Sequence, residues 1–143
     1  MPCEYEIDLE RRLVRCYAWG VLTHSEATAL RERFSSDPAF NPHLFQMYDF
    51  REVTALSMTA DQIRELASHS PFAPGARRAA IAPQHAVYGA ARMFATEHEA
   101  SVGESDIRIF RSLKEAEAWL GLESRQPMHY PAFPRKTLNG ESC

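Results

Sequence analysis

Side chains able to do chemistry gather in three stretches of this 143-residue chain. The first holds Asp49 and Arg51, two residues apart near the end of a strand-like apolar run, Leu44 to Phe50. That spacing puts both on one face of a strand, at the carboxyl end where open α/β sheets place ligands. A carboxylate beside a guanidinium stays ionised, so the pair is a poor general base and a good structural tie. Glu52 and His24 join it if their loops meet. The second is Thr59, first residue of Thr59-Ala-Asp-Gln62. Its hydroxyl suits a helix N-cap, and a phosphate placed there would meet free N–H groups and the positive end of the helix dipole. The third is His85, Tyr88 and Arg92, spaced i, i+3, i+7 so that they share a helix face beside a helix N-terminus, an arrangement able to receive an anion.

Other chemistries find no support. The six histidines make no HxxxH, HxH or HExxH pattern, so no metal is expected. Neither a GxSxG motif nor a P-loop is present, and no cofactor is implied. The expectation is a protein that is not an enzyme. Net charge is −3 with no basic stripe, which argues against a nucleic-acid partner. Apolar runs are strand-sized, short of the roughly 20 residues of a membrane span. Cys3, Cys16 and Cys143 form no CxxC and are odd in number, and the N-terminus lacks the apolar region of a signal peptide. These features predict a reduced, cytoplasmic protein with Cys16 as strand packing.

The elements that must position these residues are announced by three capping-box strings: Thr23-His-Ser-Glu26, Thr59-Ala-Asp-Gln62 and Ser112-Leu-Lys-Glu115. Each follows an apolar, β-rich run and precedes apolar residues at helical spacing. Repeated strand-to-helix switches predict an α/β domain with parallel strands. Tyr5, Ile7 and Leu9 alternate with charges, and a charged turn at Glu10-Arg11 leads into Leu13 to Val21, which predicts an antiparallel hairpin. Further strands are expected at 44–50, 77–82 and 107–110, and helices starting near residues 24, 60, 85 and 113, with Gly121 as the last stop. The expected fold is a five-stranded mixed, mainly parallel sheet with an N-terminal hairpin and four helices, in one domain over residues 1–122.

This element order, with Tyr48-Asp-Phe-Arg-Glu-Val-Thr54 closing the third strand, resembles the SpoIIAA-like branch of the STAS superfamily, the anti-sigma-factor antagonists and their relatives. The resemblance covers roughly residues 5 to 121. In the antagonists a strand ending in Asp is followed by Asp-Ser-Ser-Gly, whose second Ser is phosphorylated. Here Ser57-Met58-Thr59 takes that place and Ala60 replaces the Gly, so Thr59 stands where the phospho-acceptor would be. The resemblance implies a non-catalytic interaction or regulatory module. The group is also similar to CRAL-TRIO lipid-binding domains, which implies the alternative: a site for a small hydrophobic or anionic ligand in a pocket between helices two and three. Asp49, Arg51, Thr59, His85, Tyr88 and Arg92 are the candidate ligand- or partner-binding residues. Residues 123–143 hold Pro127, Pro131 and Pro134 with Met128, Tyr130 and Phe133, which predicts an irregular tail packed on an apolar face. Self-association as a homodimer is the partner expectation that follows.

Overall fold

The computed structural model describes residues 3–102 and 106–122. Strand β1 (Cys3–Asp8) and β2 (Leu13–Thr23) form the expected hairpin, turned by Arg12 at φ 55. Helix α1 (His24–Ser35), β3 (Phe45–Ser57), α2 (Ala60–Ser68), β4 (Arg78–Ile81), α3 (His85–Val102), β5 (Ile107–Phe110) and α4 (Leu113–Leu120) follow. The strands lie in sequential order, β1-β2-β3-β4-β5, with every pair after the hairpin parallel. The expected tail and the homodimer it implied fall on residues 123–143, outside the described residues.

The helices begin where the caps require. Thr23 Oγ1 accepts from the Glu26 N–H at 3.3 Å while Glu26 Oε1 accepts from the Thr23 N–H at 3.0 Å. Thr59 and Gln62 repeat the exchange at 3.1 and 2.9 Å. At α4 only half of the box forms: Ser112 accepts from the Glu115 N–H, and the Glu115 side chain makes no return bond. Gly121 ends α4 in the left-handed region, φ 78, as a residue without Cβ does most cheaply.

One strand departs from the expectation. β3 continues past Phe50 to Ser57, because β2 pairs with it all the way to Thr23 opposite Ser57. Two register shifts, between Tyr17 and Trp19 and between Gly20 and Val21, each place an extra residue on β3. Such bulges bend a strand and raise its twist. β4 pairs with Gln46–Asp49, so among the described residues the far half of β3 has β2 as its partner and no strand on its other edge.

The sheet has two unequal faces. Val14, Cys16, Tyr48, Phe50, Ala80 and Ile109 face one side, where Leu30 and Phe34 of α1 and Val87 of α3 pack. Leu13, Met47, Ala79 and Ile81 face the other, covered by Ala116 and Leu120 of α4. Helix α2 is the exception. It packs chiefly on α3, and its buried Ile63, Leu66 and Ala67 belong to neither strand-borne cluster.

Candidate functional site

A cavity separates α2 from the sheet. Its volume is about 110 Å³, room for several solvent-sized groups, and it opens to solvent at its mouth. Its floor comes from residues two apart on neighbouring strands: Gln46, Tyr48 and Phe50 of β3, Arg78 and Ala80 of β4, Ile107 and Ile109 of β5. This is the period-two alternation of strands, in register as Gln46 opposite Arg78 and Arg78 opposite Ile107. The walls come from one face each of α1, α2 and α3, with Leu30 and Phe34, Ile63 and Leu66, and Ala91 and Phe94 turned inward. Small residues on α3 (Ala90, Ala91) and β4 (Ala80) leave the space that larger side chains would fill.

Of the twenty described lining residues, only Arg31, Gln46, Tyr48 and Arg78 carry polar side-chain groups. Arg78 is 7% exposed and has no carboxylate within ion-pair distance among the described residues. Its Nε donates to Gln46 Oε1 and its Nη1 to Ser70 Oγ, both at 3.2 Å, and its Cζ lies 4.9 Å from the Phe72 ring centroid. Burial, and then the charge of Arg31, push Arg78 down to about 9, so a full cation still sits there at neutral pH. Arg31, lowered mainly by burial, donates from Nη1 to the His69 carbonyl. The Tyr48 hydroxyl is buried and has no hydrogen-bond partner among the described residues, and burial raises its pKa well above that of a free phenol. A buried, unpaired hydroxyl between two guanidinium-bearing elements is costly unless something completes it.

Polar ties hold α2 at its rim. His24 Nε2 meets Glu65 Oε1 at 2.7 Å from the α1 side. On the α3 side, Arg64 Nε lies 3.4 Å from Glu97 Oε1, and the buried His98 reaches the Ala67 carbonyl from Nδ1 at 3.2 Å. A carbonyl can only accept, so Nδ1 carries the proton.

The six residues singled out from sequence stand around this cavity rather than in its wall. Asp49, between Tyr48 and Phe50, projects from the opposite face. It holds Arg51 through the Arg51 N–H at 2.9 Å and a guanidinium contact of 2.6 Å to Oδ2. Thr59 is exposed and its hydroxyl serves the cap of α2. His85 and Arg92 are exposed on α3, and Tyr88 carries Arg111 over its ring at 4.0 Å. Those three share a helix face without meeting Asp49, Arg51 or Thr59. The cavity's own polar residues, Arg31, Gln46, Tyr48 and Arg78, were missed. A signal existed: Gln46 and Arg78 are polar residues inside the short apolar strands expected at 44–50 and 77–82.

No family model and no curated protein matches the sequence. Among solved structures, the chain is similar to an uncharacterized protein of the DUF3478 family with a SpoIIAA-like fold from Shewanella loihica PV-4. The TM-score is 0.55 at 19% identity, over 82% of this chain and 93% of that one. The fold is therefore SpoIIAA-like, as the element order suggested. Among the described residues no helix is long and apolar enough to cross a membrane.

Proposed function

We propose that this chain is a binding module for a small, largely apolar molecule held between the sheet and helices α1 to α3. The observation that carries the reading is the cavity itself: about 110 Å³, lined by apolar side chains at sixteen of the twenty described lining positions, beneath a helix that leans on α3 instead of on the strands. Protein interiors are close-packed, so a space of this size in a 143-residue chain needs an occupant or a reason. The uncharged fluorophore N-phenylnaphthylamine tests the reading. Its emission should rise on addition of the protein, and Ala91→Phe or Ala80→Leu, which fill the space, should abolish the rise while circular dichroism shows the fold retained. Unchanged emission with the wild-type protein would overturn the proposal, as would full binding in both filled variants.

A regulatory reading has one observation in its favour. Thr59 is exposed and caps the helix that roofs the cavity. A phosphate on Thr59 would replace the hydroxyl in that cap and add close to two negative charges at the start of α2. A Thr59→Glu variant that alters fluorophore binding or the capture of a partner, with thermal unfolding unaltered, would support it.

A further inference from the structure

The polar groups of the cavity are not scattered. Gln46 and Arg78 face each other in register near the start of β3 and at the first residue of β4. Tyr48 is the next inward-facing residue along β3, and Arg31 lies close enough for its charge to act on Arg78 and on Tyr48. Leu56 and Met58, by contrast, line the cavity from the far end of β3, with Ile63 of α2 also in the wall. The space is thus cationic at one end and apolar at the other.

The cationic end lacks a counter-charge. Of Arg78's nitrogens, Nε and Nη1 are engaged by neutral oxygens, and Nη2 has no partner among the described residues. The carboxylates that act on these arginines from a distance are occupied elsewhere: Asp106 accepts from the Gly75 N–H, and Glu65 pairs with His24. A buried guanidinium (Arg78) and a half-buried one (Arg31) line a mostly apolar enclosure, and the buried Tyr48 hydroxyl beside them has no hydrogen-bond partner among the described residues. Buried charges are ordinarily paired.

Resting on the binding role proposed above, we propose that the ligand is a carboxylic-acid amphiphile. Its carboxylate accepts from Arg78 Nη2, the Arg31 guanidinium and the Tyr48 hydroxyl, and its hydrocarbon chain lies among Phe50, Leu56, Met58 and Ile63. The carboxylate completes three donors at once, and charge-assisted hydrogen bonds in a low-dielectric site are the strong ones. A large polar headgroup does not fit the small number of polar side chains around it. A neutral ligand would leave both cations unpaired, and a cationic one would add a third positive charge.

Displacement of N-phenylnaphthylamine by decanoate, decanol, decyltrimethylammonium and decyl phosphate tests this directly. Decanoate should displace the fluorophore about ten-fold more effectively than decanol, and the ammonium not at all. Arg78→Met should weaken decanoate about ten-fold while leaving decanol and the fluorophore within about two-fold. Tyr48→Phe, which removes one oxygen and little else, should weaken decanoate by roughly three- to ten-fold. Equal displacement by decanoate and decanol, or an Arg78→Met variant that keeps full decanoate affinity, overturns the carboxylate assignment and leaves the apolar-binding role intact. Decyl phosphate displacing far better than decanoate would assign a different headgroup. Failure of the fluorophore and all four competitors to bind would remove the binding role itself.

Discussion

Replacing Thr59 with Ala removes the hydroxyl that accepts from the Gln62 N–H at 3.1 Å and frees the Gln62 side chain that holds the Thr59 N–H. Losing such a cap costs about 1 kcal/mol. Where that loss appears depends on how α2 is held. The helix is nine residues long, rests on α3, and has a cavity rather than strands beneath Ile63 and Leu66. It therefore lacks much of the packing that ties α1 and α3 to global unfolding, and local opening is the cheaper event. About 1 kcal/mol raises the open population about five-fold. Native-state hydrogen exchange should show that acceleration for amides within 63–68, with amides of Met47 and Ile81 unaffected. Since opening α2 uncovers the cavity, stopped-flow association of N-phenylnaphthylamine should accelerate as well. Uniform acceleration of strand and helix amides together, with a fall in melting temperature, would refute the reasoning: α2 would then open only when the whole domain does.

Three further expectations rest on separate contacts. Asp49→Ala strips the Arg51 backbone N–H and guanidinium of their acceptor; with Arg51 well exposed and screened, the cost should be about 1–2 kcal/mol in denaturant unfolding, and fluorophore affinity should not change because Asp49 faces away from the cavity. His98 is held below the ordinary histidine pKa mainly by burial, so the unfolded chain takes up the proton more readily. Stability should be full above about pH 6.5 and decline as pH falls through the lower native value, and His98→Gln should flatten that decline in pH-dependent unfolding curves. Cys16 is pushed up to about 12 by burial and Cys3 is also buried, so a Cys143→Ser variant should give no reaction with a thiol reagent at about pH 8 until the protein is unfolded.

The architecture was legible because its signals are local. A Thr or Ser followed three residues later by Glu or Gln marks a helix start where it follows a β-rich run, and His24, Ala60 and Leu113 all open helices directly after such a Thr or Ser. Alternation in Tyr5, Ile7 and Leu9 marked the hairpin for the same reason. The length of β3 was less legible: its continuation past Phe50 depends on a long partner in β2 and on two bulges, which are properties of the pair and not of either segment. The cavity lies further still from local rules. Its cations come from α1 and β4, 47 positions apart (78 − 31), and no spacing pattern joins them. Asp49 and Arg51 drew attention because they are close in sequence, and the same closeness lets them satisfy each other. Gln46 and Arg78 carried the more useful information, polar groups in covered strands, because burial without an obvious partner demands one in space.

The decisive question is whether an apolar acid enters the space beneath α2. Nuclear Overhauser contacts between decanoate protons and methyl groups of the selectively labelled protein measure this most directly. Contacts are expected from the alkyl chain to Leu56, Met58 and Ile63, with the protons next to the carboxylate nearest the Tyr48 ring, and none to the exposed Leu9 and Val21. Contacts confined to Leu9 and Val21, or no contacts at saturating decanoate, would contradict this placement.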